Sequence, residues 1–284
     1  MIHTQLTPDD TLSSETIQFR TDEGDIGLGF DPNQSDGDLS RNSENFTQRV
    51  GYHHRFGPGV HLIGQFLYLR RNLDFQDLGE PSRLAVIVPG AHQDQKQRQR
   101  LEGVRGDLQQ LWDTERFSLV MGGGVTDSTV KKEAITTFLI FGNFTIPSQG
   151  EVPERAQRAY VYSTWHLAEW LDLTAGGSYS RLEIGTNSEP PYDSATRVED
   201  SLCPKTGLTL YLTPQVTLRA TYLRTLGVAG NADLESIEPT QVAGFNQVFD
   251  NLPGAKTELA GVGLDYKLAK RTYCGVERVL TTRS

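Results

Sequence analysis

The feature that most constrains this chain is a pair of alternating runs over residues 204–226, PKTGLTLYLTPQVTLRATYLRTL. Leu208, Leu210 and Leu212 alternate with Gly207, Thr209 and Tyr211. After Thr213-Pro214-Gln215, Val216, Leu218, Ala220 and Tyr222 alternate with Thr217, Arg219 and Thr221. Successive side chains of a strand point to opposite faces, so this is a tight hairpin with one apolar and one polar face. Proline suits its turn, where φ is fixed and no amide donor is needed. The polar face offers threonines and an arginine, nothing that packs against a second protein layer. Such a strand fits lipid on one side and a wet lumen on the other.

Composition agrees with that reading. In 284 residues there is room for one large β domain or two small ones. The apolar share is 37%, below the about 45–50% of packed globular domains. No window reaches the about 18 consecutive apolar residues of a membrane helix, but barrel strands are short and half apolar and escape that measure. A net charge of −9 argues against nucleic acid as the main partner, since no basic patch is present to neutralise phosphate. Cys203 and Cys274 fall in different hairpins without metal spacing, and no disulfide is expected between them. The first residues, MIHTQLTPDDTLSSE, lack the charged-then-apolar order of a secretory signal. The last, VLTTRS, lack the final aromatic residue of many bacterial barrels, and both ends read as cuts.

Along the chain, residues 1–14 are expected to be an unordered segment and 15–284 a barrel domain. Ile17, Phe19, Ile26, Leu28 and Phe30 alternate weakly, as one irregular strand or a short hairpin, before a loop to about residue 45. Hairpins then follow at 46–72, 101–126, 158–184, 204–226 and 259–280. Their turns are very short: Gly57-Pro58-Gly59, Asp113-Thr114-Glu115, Ala168-Glu169, Thr213-Pro214-Gln215 and Ala269-Lys270-Arg271. Long polar stretches, 73–100, 127–157, 185–202 and 228–256, join them and read as recognition loops. Within them Phe138 to Ile146 reads as an extra strand or a short helix. Short turns at one end and long loops at the other are the signature of an outer-membrane barrel. The expected fold is therefore an all-β, antiparallel up-and-down transmembrane β-barrel of ten to twelve visible strands, complete or part of a wider wall. Trp112, Trp165 and Trp170 all lie beside the short turns, as an interfacial aromatic belt would.

The alternation assigns faces. Leu208, Leu210, Leu212, Val216, Leu218, Val262 and Leu264 are the lipid-facing candidates. Arg219, Asp265, Lys267 and Glu277 are the lumen-facing ones. There they either set the potential of a conducting channel or fill a narrow, closed barrel with ion pairs.

No enzyme is read here. His53 and His54 are neighbours on a strand, face opposite ways and cannot share a metal. Ser163 and His166 likewise lie on opposite faces, so they are no nucleophile–base pair. Gly122-Gly123-Gly124 lacks the following helix and Gly-Lys-Ser/Thr of a phosphate loop, and small residues on a closely paired strand explain it. Residues 31–38, DPNQSDGD, have some of the composition of a calcium loop without its terminal glutamate, and a solvated loop is favoured. Catalytic residues, cofactors and resident metals are not expected.

Residues 238–254, EPTQVAGFNQVFDNLPG, with the following AKTELAGVGLDYKL, resemble the C-terminal barrel of a group of proteobacterial outer-membrane proteins. Residues 41–65 and 204–226 are similar to the same group. It is described as TonB-dependent-receptor-like, often with tetratricopeptide repeats ahead of the barrel. The resemblance spans most of 15–281, with 127–157 outside it. It implies an outer-membrane location and a transport pore or receptor-like channel for small solutes or exported material. Its partners would be outer-membrane lipid and a periplasmic repeat domain or an export or uptake partner. No TonB box, plug or repeat is read in these residues, so energy-coupled uptake is not expected of them alone. The alternatives are a non-conducting anchor or assembly platform for a periplasmic repeat domain, and a soluble β-barrel binding an apolar ligand.

Overall fold

The computed structural model describes residues 1–24, 39–81, 92–139, 143–186, 195–227, 236–248, 252–269 and 272–283. The strands in chain order are β1 (Ile2–Gln5), β2 (Asp10–Glu23), β3 (Ser40–Gly57), β4 (Val60–Pro81) and β5 (His92–Asp113). Then come β6 (Phe117–Leu139), β7 (Phe144–Ala168), β8 (Leu171–Thr186), β9 (Ala195–Thr213) and β10 (Val216–Leu226). A small hairpin, β11 (Gln241–Val242) with β12 (Phe245–Asn246), precedes β13 (Lys256–Ala269) and β14 (Thr272–Arg283). Twelve of these form a single sheet in the order β1 to β10, β13, β14, each strand antiparallel to the next. Among the described residues the sheet does not close: β1 and β14 are its two edges.

The strands are longer than alternation alone indicates. β7 has 25 residues and β6 has 23, so most of 92–100 and 127–157, expected to be loop, is paired sheet. The physical reason is that these outer stretches are polar on both faces, with Arg98 opposite Glu133 on one and Gln99 opposite Lys132 on the other. Backbone pairing holds them without any apolar periodicity. Phe138 and Phe144, in the apolar patch, are cross-strand partners with rings stacked 4.8 Å apart. Residues 1–14, expected to be unordered, carry β1 and the start of β2 instead. Their anchor is local: the Tyr52 phenol donates to Asp10 at 2.6 Å, and the His54 ring meets the same carboxylate at 2.7 Å.

Register fixes the two faces. Leu210, Leu218 and Leu264 are direct neighbours on β9, β10 and β13, and the next row, Thr209, Arg219 and Gly263, belongs to the other face. Buried side chains gather on Arg219's face: Thr221, Leu223, Thr225, Thr257, Leu259, Tyr160, Tyr162 and Lys205. We call it the inner face. The outward face is banded. On β6, Phe117, Leu119, Met121, Gly123 and Val125 face outward from the short-turn end, and Asp127 follows. On β7, Trp165, Val161 and Ala159 give way to Arg155, which pairs with Asp127 at 2.8 Å. Ten residues of strand at about 3.3 Å each, tilted about 40°, give a band about 25 Å tall.

Candidate functional site

The inner face is not bare wall. Residues 236–248, between β10 and β13, lie against β5, β7, β9, β10 and β13 and are held by a polar network and an aromatic socket.

The socket is built by the β11–β12 hairpin. Its two turn residues, Ala243 and Gly244, have φ of 48° and 80°, the left-handed pair that a two-residue hairpin requires. The alternation then buries Val242 and Phe245 and leaves Gln241 and Asn246 exposed, their amides bonded at 2.8 Å. Phe245 lies over Gly261, where an added Cβ would stand 2.6 Å from a ring carbon. Only glycine gives the ring that approach. The Arg219 guanidinium also lies over the ring, 5.0 Å from its centroid, and donates to the Ala243 carbonyl at 3.3 Å.

The network centres on Glu238, whose side chain is fully buried. It accepts from Arg158 Nη1 at 2.8 Å and from Lys205 Nζ at 2.9 Å, and the Tyr162 hydroxyl donates to it as well. Lys205 also donates to Tyr162 Oη at 2.6 Å and to Gln247 Oε1. Gln247 Nε2 donates to the Pro239 carbonyl at 2.6 Å, and Gln109 Nε2 to the Ile237 carbonyl at 2.7 Å. Arg158 reaches Ser180 Oγ at 3.1 Å and the Leu226 carbonyl at 3.3 Å. Burial by itself would raise the Glu238 carboxyl, but the Arg158 guanidinium and Lys205 ammonium outweigh it and hold the group below the usual carboxylate range. One carboxylate thus ties the segment to two strands.

Close approach recurs along β6. A Cβ on Gly122 would stand 2.6 Å from the Tyr160 hydroxyl, and one on Gly124 would stand 2.1 Å from Asp107 Oδ1. The glycine run makes room for neighbouring side chains, among them Asp107, whose partner Arg105 lies 2.7 Å away.

Arg219, Asp265 and Glu277 are brought together on the inner face. Arg219 Nε donates to Asp265 at 2.6 Å, and its Nη2 lies 4.0 Å from Glu277. Lys267 is on the same face, 5.8 Å from the Tyr273 ring centroid. Leu208, Leu210, Leu212, Val216, Leu218, Val262 and Leu264 share the outward face. Trp112 and Trp165 flank Leu119 and Phe117 at the short-turn end, and Trp170 sits in the β7–β8 turn. His53 stacks on His61 with ring nitrogens 2.9 Å apart, while His54 turns to Asp10. His166 meets Asp172 at 2.7 Å, and Ser163 lies on the other face. Cys203 is buried and Cys274 exposed, both free. The calcium-like stretch 31–38 lies outside the described residues. Sequence reasoning singled out neither Glu238, Phe245 and Gln247 nor their partners Arg158, Tyr162 and Lys205. The available signal was that charged residues sit at inward positions of strands whose inward neighbours are small or apolar.

The family model described as TonB dependent receptor-like, beta-barrel matches residues 3–261. No curated protein sequence matches the chain. Among solved structures, the ferripyoverdine receptor of the Pseudomonas aeruginosa outer membrane superposes with a TM-score of 0.69 at 14% identity, covering 99% of this chain and 40% of the receptor. The unliganded ferric citrate transporter FecA gives 0.68 at 11% identity, covering 99% and 42%. The copper transporter OprC gives 0.64 at 14%, covering 94% and 42%. This chain therefore spans less than half the length of these proteins, and at such identities the likeness is one of fold. The family match runs from β1 into β13 and includes the infolded segment; it says nothing about tetratricopeptide repeats. On that match, the chain belongs to the TonB-dependent-receptor-like β-barrels of the bacterial outer membrane.

Proposed function

We propose that this chain forms a wall of an outer-membrane uptake receptor, with cargo passing along the inner face and residues 236–248 narrowing the passage. The outward leucines and valines meet lipid, Trp112, Trp165 and Trp170 mark the periplasmic interface, and Arg219, Asp265, Glu277 and Lys267 shape the potential met by a solute. The observation that carries this reading is the outward apolar band, bounded by tryptophans and charges, behind an inner face whose buried groups are largely polar. By likeness of fold to receptors named for ferric citrate and ferripyoverdine, we extend the proposal to a metal chelate as cargo. The reaction is selection and passage, with no covalent chemistry.

A specific observation also favours a non-conducting platform: the 236–248 segment and the ion pairs behind it fill inner-face space that a pore would leave open. Planar-bilayer recording of the refolded full chain separates the two. Current steps that change when Arg219 or Asp265 is neutralised support the passage, and a silent membrane at every voltage supports the platform.

A further inference from the structure

Towards the long-loop end of β5 the inward side chains run Gln99, Gln97, Gln95 and Gln93. Pairing of β5 with β6 is unbroken from Gln109 to Gln93, so these glutamines share the inner face with Gln109. Lys96, Arg98 and Arg100 alternate with them and are exposed on the outward side. Each inward glutamine is half-buried, and among the described residues none of their side-chain amides has a hydrogen-bond partner. Gln109, nearer the short-turn end, shows what an inward glutamine of β5 does with main chain. Its Nε2 donates to the Ile237 carbonyl of the infolded segment at 2.7 Å.

Spacing selects the ligand. Inward side chains of a strand recur every two residues, about 6.6 Å apart. An extended peptide has the same repeat, because every second residue turns both its N–H and its C=O to one edge. A primary amide offers a donor and an acceptor side by side, the complement of that pair. A peptide laid alongside β5 therefore meets the glutamines in step over about 20 Å. Linked pyranose rings repeat more closely and turn their hydroxyls several ways, so a glycan falls out of step. The banks leave room for a chain. On β4, Leu73 and Phe75 stand opposite Gln99 and Gln97, an apolar shoulder for alternate side chains. On β6, Ala134 lies opposite Gln97, and Ser148 of β7 continues that low row. Lys132, opposite Gln99, suits an acidic residue at that one position.

We infer that Gln93, Gln95, Gln97 and Gln99 form a ladder that docks an extended peptide on the inner face at the long-loop end. The amides hold the main chain of the peptide, as strand addition does elsewhere, so its side chains matter little. The inference rests on the reading that cargo travels along the inner face, and it adds a peptide to what this wall receives.

The test is fluorescence anisotropy of the full chain, refolded in detergent, with a labelled, end-blocked octapeptide of alternating serine and threonine. Saturable binding is expected. Gln95→Leu with Gln97→Leu removes two amides at similar volume and should weaken binding at least about tenfold, as the loss of their hydrogen bonds implies. The same octapeptide N-methylated at every residue has lost its main-chain donors and should bind the unaltered chain at least about tenfold more weakly. Equal binding of the two peptides overturns the inference without any variant having to fold. So does a neutral glucan of matched length that binds where the octapeptide does not. Planar-bilayer recording of the same preparation separates the site from the passage. Current steps without peptide binding sink the ladder alone, and peptide binding under a silent membrane keeps the ladder on a platform. Loss of both sinks the uptake reading with it.

Discussion

Glu238 and Lys205 meet at 2.9 Å on the inner face, 33 residues apart in sequence and on different elements. One is in a connection between strands and the other is the buried rung of β9. The contact converts a long connection into part of the wall, and it is the most vulnerable point of that arrangement.

Removing the carboxylate strands two buried cations. Glu238→Ala is expected to cost about 3–5 kcal/mol, the usual penalty for breaking one side of a buried ion pair. Glu238→Gln keeps the shape and one acceptor and should cost less. Amide hydrogen exchange over 237–247 provides the check. Unchanged protection in Glu238→Ala would mean that the segment is held by Phe245 alone.

The same carboxylate gives the fold a pH dependence. Its folded-state pKa lies below the ordinary value of 4.5, so the folded state favours the ionised form. Its contribution is therefore complete above about pH 4.5 and is lost as pH falls through the lower folded value. Protection factors over 237–247 should fall on acidification below 4.5, and this step should be absent in Glu238→Gln. A loss of protection that begins between pH 8 and pH 6 would assign the step to a group other than Glu238.

The aromatic socket predicts a non-additive pair. Phe245→Ala empties a buried site, for about 3–5 kcal/mol, and Gly261→Ala forces the ring off the wall. Combined, the two changes should cost less than their sum, because the added methyl then enters space the ring has left. A denaturant double-mutant cycle measures this coupling. Strict additivity would show that the ring and Gly261 do not share the site.

Facing can be read from charge scanning. Leu264→Arg, on the outward face, should destabilise the bilayer-inserted chain by about 2–4 kcal/mol. Lys267→Glu, on the inner face, should be tolerated while altering ion preference. Equal penalties at both positions, measured by refolding into vesicles, would argue against a lipid-facing side.

Much of this architecture is legible from residue types alone, within limits that have physical causes. Alternation is strong where one face meets hydrocarbon, as at Leu208, Leu210 and Leu212, and there the faces and the short turns can be read directly. It fades at Arg98 and Lys131, where both faces are polar and only backbone pairing sustains the strand. The infolded segment hides for another reason. Glu238 and Gln247 look like ordinary loop residues, and their meaning arises from Arg158, Lys205 and Tyr162, far away in sequence and adjacent only after folding. The string around them is recognisable as a family signature well before its task on the wall is apparent.

The long strands have one more consequence. At about 3.3 Å per residue and a tilt near 40°, the 25 residues of β7 rise about 60 Å, more than twice the apolar band. The sheet therefore continues past the apolar band as a tall open wall. Antibodies, proteases and large particles in the medium meet this rim first, and a surface sugar coat shallower than the overhang leaves it exposed.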